Sequence, residues 1–191
     1  NDTNTIAIGD VTVNEAAGTT TFTATRTGTS AVDIKLDYTT SDGTAKDGVG
    51  ESGAGIPDYT ASTGAVTFAP GTDGTQTFTV PITNDLVVEG SEAFTVTLTP
   101  QIPSQVSGTS TLVATGTITD NDTNTLAMGP VTVNEAAGTL TFTVTQTGSN
   151  AVPIVLAYAT SDGTAQDGVG ESGAGIPDYT ASTGTVTFAP G

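Results

Sequence analysis

The chain has 191 residues, with twenty acidic side chains against three basic ones and a formal net charge of −17. It has no Cys, no His and no Trp. These counts exclude a Ser-His-Asp triad, a cysteine nucleophile and a thiolate or imidazole zinc site, and the charge repels nucleic-acid phosphates and anionic membrane surfaces. No disulfide can staple the fold, so each domain must stand on its core or on metal ions. Hard oxygen donors are plentiful, and calcium is the metal they suit.

Repetition organises the chain. Asn1-Asp2-Thr3-Asn4-Thr5 recurs at Asn121-Asp122-Thr123-Asn124-Thr125, and the offset of 120 also maps Glu15 onto Glu135, Asp42 onto Asp162 and Tyr59 onto Tyr179. Of the 71 positions shared by 1–71 and 121–191, 57 are identical. The expected organisation is one complete repeat, 1–120, and the first part of a second, 121–191. Arg26, Lys35 and Lys46 become Gln146, Val155 and Gln166, so the second copy carries no basic residue. The start at Asn1, with no initiator Met and no apolar leader, fits a piece of a longer tandem array. No stretch approaches the ~18 apolar residues of a membrane-spanning helix. A Lys-poor, acidic sequence with 43 threonines fits the exterior of a bacterial cell.

Period-two spacing predicts strands throughout. In chain order the first repeat offers seven: 6–14, 19–27, 32–40, 64–69, 74–83, 92–100 and 110–119. Val32, Ile34, Leu36 and Tyr38 share one face, as do Phe78, Val80 and Ile82, and Phe94, Val96 and Leu98. Threonine fills the opposite faces, where its β-branch suits a half-wet pleated surface. Asp42-Gly43, Pro70-Gly71, Asp73-Gly74 and Glu89-Gly90 mark turns between them. The expected fold is all-β, a seven-stranded antiparallel immunoglobulin-like sandwich repeated every 120 residues. The longest irregular segment is 43–63. The second copy holds only the first four strands, which leaves an apolar face to be covered by continuing sequence or by a neighbouring chain, as in donor-strand complementation.

The carboxylates avoid the strands. Glu15 follows the first, Asp42 the third, Asp85, Glu89 and Glu92 lie between the fifth and sixth, and Asp120 and Asp122 follow the seventh. In an up-and-down arrangement these loops leave from one end and gather the carboxylates at one pole. Such a pole is costly unless cations neutralise it; a solvated acidic loop is the plainer alternative.

These residues also carry a resemblance. Val13-Asn14-Glu15-Ala16-Ala17-Gly18, Tyr38-Thr39-Thr40-Ser41-Asp42-Gly43-Thr44-Ala45, Asp58-Tyr59, Gly64-Ala65-Val66-Thr67-Phe68-Ala69-Pro70-Gly71, Asn84-Asp85 through Glu92-Ala93-Phe94, and Ile118-Thr119-Asp120-Asn121-Asp122 together resemble the Calx-β domain. The resemblance implies a seven-stranded immunoglobulin-like sandwich that binds clustered calcium at one pole in sodium–calcium exchangers and occurs in bacteria as tandem repeats of large secreted or surface-attached proteins. Carried over by motif, the metal-ligand candidates are Glu15, Asp42, Asp85, Glu89, Glu92, Asp120 and Asp122. Two departures stand out. Twelve residues separate Ala45 from Asp58, a longer link than the family pattern, which brings Asp47 and Glu51 near the site; and Asn84 removes a charge before Asp85. Asp42 also has a purely structural reading, since Asp-Gly is a strong turn signal.

The function expected from these features is non-enzymatic: a calcium-rigidified structural module of an extracellular repeat protein, an adhesin stalk or a filament building block. Its expected partners are neighbouring repeats or identical chains. The alternative is a module that recognises a sugar or partner protein through the 43–63 loop. Aromatic residues make up only 5% of the chain, which speaks against sugar stacking and against a glycosidase. Lys35 has no counterpart amine at Val155, which speaks against a crosslink shared by all repeats. The sequons at Asn1 and Asn121 have a plainer reading as junction turns.

Overall fold

The computed structural model describes residues 4–48, 57–108, 111–168 and 176–190. The chain divides into two compact units, Asn1–Asp122 and Thr123–Gly191. No helix among the described residues is long and apolar enough to cross a membrane.

The first unit opens with β1 (Thr5–Ile8) and β2 (Val11–Asn14), followed by β3 (Thr19–Thr27), β4 (Ile34–Ser41), β5 (Thr63–Phe68), β6 (Gly74–Pro81), the two-residue β7 (Val87–Val88), β8 (Glu92–Pro100) and β9 (Leu112–Thr119). Two sheets result, one ordered β1-β3-β6 and the other β2-β9-β8-β4-β5. The expected first strand, 6–14, is thus divided at Gly9-Asp10, and its halves join opposite sheets. Asp10 fixes the crossing, since its Oδ1 accepts from the Thr115 amide at 2.7 Å. The two sheets therefore use eight strands where seven were expected. They are also not wholly antiparallel, because β2 runs parallel to β9, pairing Asn14 with Thr119. The expected strand 110–119 begins in the structure at Leu112, and residues 109 and 110 lie outside the described residues.

Alternation explains the core. β3 buries Thr20, Phe22, Ala24 and Arg26 and turns its other threonines outward. Phe22 stacks on Phe78 at 5.5 Å and meets Phe94 edge-on at 6.0 Å. Tyr38 stacks on Phe78 at 4.1 Å, and Tyr59 on Phe94 at 4.4 Å. Each such pair adds about 0.5–1.5 kcal/mol beyond its area burial. β9 carries glycine where it passes this cluster. A Cβ at Gly116 would lie 2.5 Å from Phe94 Cζ and 3.1 Å from Phe22 Cζ, so the bare backbone makes room for both rings.

Arg26 is buried without a carboxylate. Its Nη1 donates to the Ala69 carbonyl at 2.9 Å, its Nη2 to the Thr72 carbonyl, and the guanidinium lies over the Phe68 ring. It pins the turn between β5 and β6. In the second unit Asn150 Nδ2 reaches the equivalent turn, donating to the Ala189 carbonyl at 3.3 Å, and Gln146 Nε2 donates to Asn150 Oδ1.

The second unit holds β10 (Thr125–Met128), β11 (Val144–Thr147), the two-residue β12 (Ser149–Asn150), β13 (Ile154–Ala159) and β14 (Thr183–Phe188). β10 pairs with β11 and β13 with β14. Residues 131–133, where the repeat predicts a strand, form none, since the strand that would pair with them has no counterpart in this unit. Phe142 is 50% exposed where its counterpart Phe22 is fully buried, so this half-sandwich keeps an open apolar face.

Replacing Gly116 with Val should overpack the Phe22–Phe94 contact and destabilise the first unit by about 1–3 kcal/mol. Denaturant unfolding followed by circular dichroism measures the loss, and an unchanged midpoint would contradict the packing described.

Candidate functional site: an acidic pole

Strand register puts the loops together. Asn14 lies beside Thr119, Ile118 beside Glu92, and Ser41 beside Thr95. The ends of β2, β4 and β9 therefore meet the start of β8 at one pole.

Local turn chemistry aims the side chains there. Asn14 caps a single 3₁₀ turn, Glu15–Ala17, by accepting from the Ala16 amide at 3.0 Å. Gly18, with φ 68°, closes the turn by donating to the Glu15 carbonyl. Glu15 is held with only 6% of its surface exposed. The segment just after β9 folds back on this turn: Asn121 Oδ1 accepts from the Ala16 amide at 3.1 Å, and the Asn121 amide donates to Glu15 Oε1 at 3.5 Å. Asp85 Oδ1 accepts from the Val87 amide at 2.7 Å, an Asx turn that shapes the loop. Asp120 joins the two loops, with Oδ2 accepting from the Glu89 amide at 3.0 Å and Oδ1 from the Asp122 amide at 2.8 Å.

Two trios of carboxylates result. Glu15, Asp85 and Asp122 form one; Asp58, Glu89 and Glu92 form the other; within each, one oxygen per residue lies within 4.8 Å of the others. Glu15, Asp58, Glu89, Glu92 and Asp120 line one small hollow with Thr83, Gly90 and Ile118. Two full charges at such a separation repel by on the order of 3 kcal/mol at a typical protein-surface dielectric.

Protonation equilibria record this strain. Burial, then the carboxyl of Asp122, then repulsion from Asp85 push Glu15 up to about 7, against the opposing Asn121 amide. Asp122 Oδ2 is shut off from solvent with no donor to meet it, and a proton kept on Glu15 would satisfy it. Burial and contact with Asp58 likewise push Glu92 up to about 7, with Glu89 adding repulsion and Lys46 opposing. Glu89 is raised by burial and then by Asp58, Asp85, Asp120 and Asp122.

Of the residues expected from sequence, Glu15, Asp85 and Asp122 meet in one trio and Glu89 and Glu92 in the other, while Asp120 ties the loops together from the hollow's wall. Asp42 belongs to neither trio. Its Oδ1 accepts from the Tyr59 hydroxyl at 2.6 Å and from the Asp47 amide at 3.1 Å. The second unit repeats both bonds at Asp162, with Tyr179 at 2.7 Å and Asp167 at 3.0 Å, without the rest of the pole. Asp42 thus anchors a turn and a buried tyrosine. Asp58 is the residue the motif reading did not number among the ligands. It is held by the Lys46 amide, which donates to its Oδ2 at 2.6 Å, and by the Thr83 amide, which donates to its carbonyl at 2.9 Å. The signal available was its place in the Asp58-Tyr59 pair, because burying Tyr59 against Phe94 points the preceding side chain at the pole. Glu51 and the rest of 49–56 lie outside the described residues.

The donor set fits a hard divalent cation. It offers carboxylate oxygens, an unmet buried oxygen on Asp122, and no nitrogen or sulfur ligand. Calcium takes about six to eight such oxygens at roughly 2.3–2.6 Å.

Comparison with known proteins agrees with this architecture. The Calx-beta domain family matches residues 2–122 and 117–191. No curated protein matches the chain. The crystal structure of the apo-form Calx CBD1 domain is 28% identical, with a TM-score of 0.50 over 63% of this chain and 99% of that one. The calcium binding domain CBD12 of CALX1.1 is 24% identical, with a TM-score of 0.52 over 97% of this chain and 70% of that one; at that identity the likeness is one of fold.

Two outcomes follow from the pole. Glu15 and Glu92 titrate higher in the folded chain than in the unfolded one, so the folded state holds protons that the unfolded state releases. Their contribution to stability is present below the ordinary carboxylate range and is lost as the pH rises through about 7. In chelator, thermal unfolding should occur at a lower temperature at pH 8 than at pH 5; the reverse order would contradict the crowding. Asp42→Ala should cost about 1–3 kcal/mol by leaving the Tyr59 hydroxyl unpaired, and the loss should be equal with calcium and with chelator.

Proposed function

The chain belongs to the Calx-beta domain family, and we propose that it is a non-enzymatic structural module of an extracellular repeat protein whose acidic pole binds calcium. The observation that carries this reading is the meeting of two carboxylate trios in one hollow. The protein holds these groups together at an electrostatic cost that a divalent cation removes.

Glu15, Asp85 and Asp122 would hold one ion, and Asp58, Glu89 and Glu92 another. A bound ion supplies positive charge and a shared coordination centre. The chain's own part is to fix the oxygens by strand register, by the Asn14 cap and by the Asx turns at Asp85 and Asp120. In this reading the work of the pole is structural. Asp120 and Asp122 close the first repeat, where an ion stiffens the end of the sandwich. The near-identical second copy supports a building block of a tandem array, an adhesin stalk or a filament. The acidic, Cys-free, Thr-rich composition supports an extracellular setting, in which modules of this kind bind calcium at about 10⁻⁴–10⁻³ M.

Thermal unfolding with calcium, magnesium or chelator tests this. Calcium at about 100 times its dissociation constant should stabilise the fold by about 2.7 kcal/mol, and magnesium by much less. Glu89→Gln should shrink the calcium effect while raising stability in chelator, because it removes a repelling charge. An unfolding temperature indifferent to calcium would refute the calcium role.

A further inference from the structure

The two repeats differ at 14 of 71 aligned positions, and the differences fall differently on different strands. On β4 they follow the ordinary pattern: inward Ile34, Leu36 and Tyr38 recur as Ile154, Leu156 and Tyr158, while outward Lys35, Asp37 and Thr39 become Val155, Ala157 and Ala159. On β1 and β3 the pattern is reversed. Inward Ile6, Ile8, Thr20, Ala24 and Arg26 become Leu126, Met128, Leu140, Val144 and Gln146. Every outward residue of those two strands is kept.

These outward residues form an uncharged grid. β3 turns out Thr19, Thr21, Thr23, Thr25 and Thr27, all exposed. β6 sets Thr79, Thr77 and Thr75 opposite Thr21, Thr23 and Thr25. β1 adds Thr5 opposite Thr27 and Ala7 opposite Thr25. No charged side chain points outward from these three strands, in a chain of net charge −17. It is a surface on which two such chains can approach without setting carboxylate against carboxylate.

We infer that the outer face of the β1-β3-β6 sheet is a homotypic contact surface, on which a second copy of this chain docks face to face. The three strands have four, nine and eight residues; about 4.8 Å apart, they cover roughly 330 Å². That is under half of what each partner contributes to a standard stable interface. One face therefore makes a weak contact, which an array of complete repeats would multiply by effective concentration. The inference extends the structural reading to lateral assembly and does not depend on calcium.

Sedimentation equilibrium of the whole chain, from about 10 µM to about 1 mM at ~0.15 M salt, tests it. The expected result is a weight-average mass rising toward twice the monomer's, and rising further with salt as self-repulsion is screened. Thr23→Arg should abolish the rise. Thr99→Arg, which makes the same charge change on the outer face of the other sheet, should leave it intact. Thr23→Ser with Thr77→Ser, which trims two methyls and keeps the hydroxyls, should weaken it while unfolding at the wild-type temperature. Equal association in all variants would overturn the inference and point to the exposed apolar residues of the second unit. A strict monomer at every concentration would overturn it too and leave the face to another uncharged, hydroxylated occupant. Both calcium and chelator arms are run: loss of the calcium response in unfolding counts against the acidic pole alone, and loss of association against this face alone.

Discussion

Carboxylates that would separate in a flexible chain are held together here by hydrogen bonds between strands. The parallel pairing of β2 with β9 and the antiparallel pairing of β8 with β9 and β4 bring four loop ends to one pole. The side chains cannot relax apart without breaking that register. Protons on Glu15 and Glu92 or a divalent cation are the two ways to relieve the repulsion. Crowding and burial raise both groups to about 7, so a cation and a proton compete for the same oxygens.

The opposite end of the sandwich shows how differently a buried charge is treated. Arg26 faces backbone carbonyls and the Phe68 ring. Its charge is absorbed by dipoles of fixed geometry, whereas the carboxylates have mostly one another. In the second unit Asn150 takes over one contact of Arg26, the carbonyl of Ala189 in place of Ala69, and Gln146 donates to Asn150. That paired change keeps the turn after β14 tied to the strand beside it.

Alternation on β3, β4, β6 and β8 declared the strands, their inward faces and the aromatic core, because a two-residue period ties burial directly to sequence. The division of the first strand was not legible, since Gly9-Asp10 interrupts the pattern only briefly and the switch between sheets depends on the distant Thr115 amide. Glu15, Asp85, Glu89, Glu92 and Asp122 were legible because each sits in a turn motif at a strand end. Asp42 and Asp58 were not separable in sequence. Both precede or follow strand residues as isolated acids, and what distinguishes them is which way the Tyr59 ring faces: its hydroxyl engages Asp42, and its burial sends Asp58 to the pole.

The sequence by itself determined the class of the fold, the 120-residue repeat, the absence of thiol and imidazole chemistry, and the hard-oxygen character of the site, since all of these are set by composition and local spacing. Only the tertiary structure decided which carboxylates become neighbours, that Asp42 serves a tyrosine while Asp58 joins a trio, and that the threonines of β1, β3 and β6 share one uncharged face. Those are relations between residues far apart in the chain. Strand register and sheet order, which emerge from packing and not from local pattern, are what bring them within reach of one another.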